Sequence, residues 1–98
     1  MYGLTLVFEG VGEDQYWAVN DKLGLPRGNW KSGNAPKGLL HHVAGPTPTG
    51  WVVMEVWSSK ADQEAFMHGA LGAALGAIGL PAPAQVIDTE AVLVEDIS

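Results

Sequence analysis

The stretch Leu39–Trp57, LLHHVAGPTPTGWVVMEVW, decides the fold of this 98-residue chain. Its first part, Leu39–Ala44, has the length and composition of a short strand. Its last part, Trp51–Trp57, is rich in the β-branched and aromatic residues that favour strands. Between them, Gly45–Gly50 holds two prolines and two glycines, which are typical of turns. Because a connection this short cannot form a parallel crossover, the stretch predicts an antiparallel hairpin.

The segments on either side of the hairpin supply two helices and two further strands. Tyr2–Glu9 is largely apolar at both alternating sets of positions, which predicts a strand covered on both faces. Glu13–Leu23 predicts a helix, with acidic residues in its first turn and apolar residues three and four positions apart. A second helix begins after the capping residue Ser59. Gln85–Glu95 predicts the last strand, with its final residues covered on both sides.

The resulting order, β-α-β-β-α-β, predicts an α+β, ferredoxin-like fold with one antiparallel sheet and both helices on one face. The length predicts a single domain over residues 1–98. The chain is 47% hydrophobic but only 16% charged, against a usual charged share of about 25%. The helices leave one apolar sheet face uncovered, so we expect an oligomer in which that face is buried.

The composition also excludes several functions. Eleven acidic and five basic residues give a net charge of −6, which disfavours nucleic acid and anionic membranes as partners. The absence of cysteine excludes thiol nucleophiles, zinc–thiolate sites and iron–sulfur clusters. No apolar segment is long enough to span a bilayer, and no basic region precedes an apolar stretch at the start of the chain. We therefore expect a cytoplasmic protein without a signal peptide.

His42 and Glu55 are the hairpin residues best suited to acid–base chemistry. If Ala44 pairs with Trp51, His42 lies diagonal to Glu55 on one face of the sheet. A histidine near a carboxylate in an apolar pocket can serve as a general base or an orienting donor. A register shifted by one residue would bring His41 there instead. A histidine satisfied in the core and a structural ion pair are the alternatives.

The candidate substrate pocket combines aromatic and basic side chains. We expect its apolar wall to be formed by Trp51, Trp57 and Phe66. The alternative is that these side chains belong to the hydrophobic core. The loop Gly24–Gly38 is long for a compact domain, and its basic residues could attract an anionic ligand or simply be solvated. The loop's candidate residues are Trp30, as a lid or subunit contact, and Arg27, Lys31 and Lys37. No spacing of two histidines and one carboxylate stands out, so no metal site is expected.

The segment Gly38–Phe66 resembles the dimeric α+β barrel superfamily, and within it the small proteins of the antibiotic-biosynthesis monooxygenase type. The most specific piece is Met54–Ser59, MEVWSS, which leads into the second helix. The resemblance implies two sheets that close a barrel at a dimer interface, with a pocket in each protomer or inside the barrel. Some such proteins oxidise aromatic polyketides with molecular oxygen and without metal or flavin. Others degrade haem, and others have no established activity.

Some residues that the resemblance would imply are missing. The cofactor-free oxygenases and the haem-degrading members use an Asn in the first strand and a Trp in the second helix. Here Tyr2–Glu9 contains no Asn, Phe66 holds the helix position, and His68 is not spaced as a haem ligand. We therefore expect no cofactor. The main hypothesis is a cofactor-independent monooxygenase-like enzyme acting on a hydrophobic or aromatic small molecule through His42 and Glu55. The alternatives are a non-enzymatic ligand-binding or stress-associated dimer, and an isomerase or cyclase.

Overall fold

The computed structural model describes residues 1–25, 30, 35–95 and 97 of the chain. The elements, in chain order, are β1 (Tyr2–Glu9), α1 (Glu13–Leu23), β2 (Leu39–Thr47), β3 (Gly50–Trp57), α2 (Lys60–Phe66), a π-helical turn (Met67–Leu71), α3 (Gly72–Ile78) and β4 (Gln85–Glu90). This order confirms the predicted ferredoxin-like α+β fold, with the second helix divided into two parts.

The four strands form one antiparallel sheet in the order β2-β3-β1-β4. Strand β1 lies inside the sheet, between β3 and β4. One face carries the buried side chains of Leu4, Leu6 and Phe8, and Tyr16 from α1 and Met67 from the π-helical turn pack against their cluster. The helical layer therefore covers this face of the sheet and places the core between the two layers.

The opposite face of the sheet carries a row of side chains that crosses all four strands. In this row Val43 pairs with Met54, Met54 with Thr5, and Thr5 with Ile87. Val43, Met54 and Ile87 are 57%, 43% and 49% exposed. We call this surface the bare face. It is the face that the strand order predicts to be left uncovered by the helices.

The helix ends follow the signals in the sequence. Helix α1 ends at Gly24, whose φ of 72° lies in the left-handed region that favours glycine. Helix α2 begins after Ser59, whose hydroxyl accepts a hydrogen bond from the Asp62 backbone N–H at 3.1 Å. The backbone then leaves the helical conformation at Gly69 (φ −103°, ψ −111°), within the π-helical turn. This break separates α2 from α3.

The hairpin is tighter than predicted, and its register differs by two residues. Strand β2 continues to Thr47 and β3 begins at Gly50, so that only residues 48 and 49 connect them. Ala44 pairs with Val53 and not with Trp51. A shift of two residues leaves every side chain on its predicted face. It does move Glu55 from the diagonal to the position directly opposite His42.

The last strand is shorter than predicted. Strand β4 ends at Glu90, and Val92 and Leu93 beyond it are 91% and 72% exposed. The prediction that the end of this segment is covered on both sides was therefore wrong. Its apolar composition is that of a strand, but β1, the partner of β4, pairs with it only as far as Glu90.

Candidate functional site

A cavity of about 110 Å³ lies between the sheet and the helices. Its walls are mostly apolar and come from β1, β3, α1 and the second helical segment. The lining residues that also carry polar or ionisable atoms are Tyr16, Asn20, Trp30, His42, Trp51 and Glu55. An apolar enclosure with a few polar groups is typical of small-molecule sites. Engineered cavities of roughly this size, about 150 Å³, hold a benzene ring.

His42 and Glu55 form a hydrogen-bonded pair in the wall of this cavity. His42 Nδ1 lies 2.9 Å from Glu55 Oε2, and the two side chains are only 17% and 10% exposed. An ionised carboxylate can accept but not donate a hydrogen bond. In the neutral imidazole, Nδ1 therefore carries the proton and Nε2 is a hydrogen-bond acceptor.

Tyr16 from α1 meets that acceptor. Its hydroxyl oxygen lies 2.6 Å from His42 Nε2, so the hydroxyl donates and the imidazole accepts. Burial raises the pKa of Tyr16, the neighbouring Asn20 amide opposes this effect, and the Glu55 carboxylate adds to it. The raised pKa keeps the hydroxyl protonated and able to donate.

Trp57 fixes the other oxygen of Glu55. The Trp57 indole N–H donates to Glu55 Oε1 at 3.1 Å, and Trp57 is fully buried with its ring 5.7 Å from that of Phe66. Each carboxylate oxygen thus has its own donor, which limits the rotation of the Glu55 side chain. We call the chain of contacts Tyr16–His42–Glu55–Trp57 the polar relay.

Most of the predicted pocket residues gather at this cavity. Trp30, Trp51 and Phe66 line it, and the rings of Trp30 and His42 are 4.4 Å apart. Trp57 does not line the cavity, but it contacts two residues that do, Glu55 and Phe66. Arg27 and Lys31 lie outside the described residues, and Lys37 is exposed.

His41 is placed away from the cavity. It is exposed and lies on the bare face, beside Val43 and Met54. The register shifts between Leu39 and His41, and from His41 to Thr47 the two strands pair regularly up to the turn. The alternative in which His41 approaches Glu55 therefore does not hold, because consecutive side chains of a strand point to opposite faces.

Tyr16 and Asn20 are the site residues that the sequence reasoning missed. They lie four residues apart on α1 and so on one face of the helix, the same face that buries Val19. The pattern of that face predicts packing alone. The available signal was Asn20 itself, because an amide within an apolar helical stripe must find a partner once it is buried.

Two features are absent from the part of the chain that the structure describes. No group of three histidine, aspartate or glutamate side chains there could hold a metal ion. No helix there is both long and apolar enough to cross a membrane.

Comparisons with solved structures support the architecture. The chain is similar to a provisionally named antibiotic biosynthesis monooxygenase from Chloroflexus aurantiacus, with a TM-score of 0.68 and 18% identity over 99% of this chain and 98% of that one. The chain shares the overall fold of that protein. A protein of unknown function from Nitrosomonas europaea has this fold too (TM-score 0.63, 22% identity, 99% and 94% covered). A dimeric ferredoxin-like protein of unknown function from Jannaschia sp. CCS1 is also similar (0.53, 20%, 92% and 97%).

These likenesses define the fold of the chain and not a reaction. No family model and no curated protein matches the sequence. A single fold supports many chemistries, so the function has to be argued from the cavity and the residues that line it.

Proposed function

We propose that this protein is a cofactor-independent, monooxygenase-like enzyme acting on a hydrophobic, aromatic small molecule. The observation that carries the proposal is the hydrogen-bonded chain Tyr16–His42–Glu55 in the wall of an apolar cavity. Such a chain is suited to removing a proton from a bound molecule. The likeness in fold to the Chloroflexus protein favours dioxygen as the co-substrate.

Proton removal starts at Tyr16. Because His42 Nε2 is already engaged by the Tyr16 hydroxyl, the substrate proton passes to the Tyr16 oxygen while the hydroxyl proton passes to Nε2. The two transfers occur together, since the raised pKa of Tyr16 disfavours a free tyrosinate. Glu55 stabilises the imidazolium that results, as the carboxylate does in other His–carboxylate pairs.

The substrate anion then supplies the electrons for oxygen reduction. Conversion of an activated CH₂ group to C=O releases four electrons. These reduce one O₂ molecule, whose atoms end in the new carbonyl and in one water. No further reductant is required, and the chain's part is to form the anion and to keep bulk water away from it. The mostly apolar lining of the cavity serves the second role.

Oxygen consumption with a panel of one- and two-ring phenols and aryl ketones tests this function. We expect His42→Ala and Tyr16→Phe each to lower the rate roughly 10²–10⁴-fold. His41→Ala is the matched control and should leave the rate unchanged, because His41 lies on the bare face. Turnover without oxygen would favour the isomerase or cyclase. Saturable binding without turnover would favour the non-enzymatic binder, and either result contradicts the monooxygenase.

We also propose that the protein is a homodimer closed through the bare face. Val43, Met54 and Ile87 form an exposed apolar row there, and covering it removes apolar surface from water. The Jannaschia neighbour, which is described as dimeric, supports this arrangement. Sedimentation at micromolar concentration should give twice the 10.3 kDa mass of the chain, whereas a monomeric mass would contradict the proposal.

A further inference from the structure

We infer that the cavity holds its ligand by an oxygen acceptor, a carbonyl or the oxyanion formed from it, bound to the side-chain N–H groups of Asn20 and Trp51. The inference rests on the proposed function only in treating that ligand as the substrate. The binding site itself follows from the hydrogen-bonding state of the cavity wall.

Two buried donors in this wall have no partner. Asn20 and Trp51 are 4% and 5% exposed, and both line the cavity. Asn20 Nδ2 and Trp51 Nε1 are buried with no acceptor at hydrogen-bond distance among the described residues, although the Asn20 amide lies close enough to the Tyr16 oxygen to lower the pKa of Tyr16. Folded proteins rarely leave buried polar groups unpaired. The contrast within β3 is informative, because the indole of Trp57 has a carboxylate partner and that of Trp51 has none.

The strong acceptors of the cavity are already engaged. Glu55 accepts from His42 and from Trp57, and His42 Nε2 accepts from Tyr16. Among the described residues, the wall therefore lacks a well-placed acceptor for the N–H groups of Asn20 and Trp51. A hydrocarbon ligand would leave both N–H groups unpaired, and so would an ammonium ligand. A carbonyl oxygen or an oxyanion supplies the missing lone pairs.

Both donors also adjoin Tyr16. Asn20 follows it by one helical turn, and the Trp51 ring centroid lies 5.2 Å from that of Tyr16. A ligand oxygen bound by these donors would lie beside the hydroxyl that receives the proton in the proposed mechanism. Negative charge that develops on that oxygen as the proton leaves would then face fixed N–H dipoles, the arrangement that stabilises oxyanions in enzymes.

Acetophenone and α-methylstyrene form a matched pair of probes, since they differ only in having C=O or C=CH₂ at the same position. Their affinities are measured by calorimetric titration of the full chain and of the variants Trp51→Phe and Asn20→Leu. We expect each variant to bind acetophenone roughly five- to tenfold more weakly and α-methylstyrene no more weakly. Trp17→Phe is the matched control, because Trp17 lies outside the cavity lining and donates to Glu13.

A second measurement uses the wild-type protein, so that the lining of the cavity is unchanged. In the ¹H–¹⁵N spectrum of the wild-type protein, the indole N–H signal of Trp51 should move downfield with acetophenone and not with α-methylstyrene. An unmoved signal would overturn the inference, as would equal losses for both probes or no binding of either. An internal water that keeps both donors occupied would appear as the unmoved signal. Because the titrations are run without oxygen, so that the proposed oxidation cannot occur, failure here and failure of the oxygen-uptake assay are separate results.

Discussion

Replacement of Glu55 with glutamine should reverse the hydrogen bond between His42 and Tyr16. In the native relay Glu55 only accepts, so that His42 is protonated on Nδ1 and accepts from Tyr16 on Nε2. In Glu55→Gln the side-chain oxygen stays on the Trp57 indole N–H, and the amide nitrogen then faces Nδ1 as a donor. His42 must carry its proton on Nε2 instead and donate it to Tyr16.

The stability cost follows from the bonds that change. Glu55 accepts two hydrogen bonds, and both persist in the variant as neutral bonds. A bond to a charged group contributes about 1.5–3 kcal/mol and a neutral one about 0.5–1.5 kcal/mol, so the expected loss in free energy of unfolding is about 2 kcal/mol. Glu64→Gln is the control, because Glu64 is 51% exposed and pairs with Lys60 only at 3.9 Å. Its loss should stay below about 0.5 kcal/mol.

Long-range ¹H–¹⁵N spectra of the histidine rings test the reversal, because they distinguish protonated from unprotonated ring nitrogens. Signals are assigned with His41→Gln and His68→Gln, and urea unfolding gives the stability change. The reasoning is refuted if wild-type His42 is protonated on Nε2, or if Glu55→Gln leaves its protonation pattern unchanged. If the free energy of unfolding falls no more than in Glu64→Gln, the energy assigned to the two hydrogen bonds that the Glu55 carboxylate accepts would be refuted.

Three further predictions concern the core, the relay and the bare face. Trp57→Ala should lower the free energy of unfolding by about 3–5 kcal/mol, because Trp57 is fully buried; a loss below about 1 kcal/mol in urea unfolding would contradict this. The native protein should lose stability as the pH rises above about 10, because the raised pKa of Tyr16 lets the folded state keep a proton that the unfolded state releases. Tyr16→Phe should make this loss less steep in urea midpoints measured across that range. Met54→Lys should give a monomer in sedimentation, and an unchanged dimer would contradict the interface.

The sequence predicts the strands and the faces of their side chains well. The alternation of a strand has a period of two, and therefore the two-residue error in the hairpin register left His42 and Glu55 together on the cavity side. The choice between His41 and His42 could not be made from the sequence, because it depends on how many residues the hairpin turn leaves unpaired. That number is a property of the paired strands and not of either strand alone.

The parts of the site contributed by the helical layer could not be predicted from local pattern. Tyr16 reaches His42 only because α1 packs across β2 and β3, a contact between residues 26 positions apart in the chain. This contact follows from tertiary packing, which a local helix pattern does not encode.

The hairpin assigns neighbouring residues to two separate surfaces, and this separation can itself be tested. Val43 and Met54 face the proposed partner subunit, whereas His42 and Glu55 face the cavity. If each protomer holds a complete cavity, Met54→Lys should abolish the dimer and leave His42 protonated on Nδ1 as in the wild type. If the histidine spectrum changes together with the loss of the dimer, the position of β3 depends on the second copy. The cavity and the interface would then form one cooperative unit, and the relay would be correctly arranged only in the dimer.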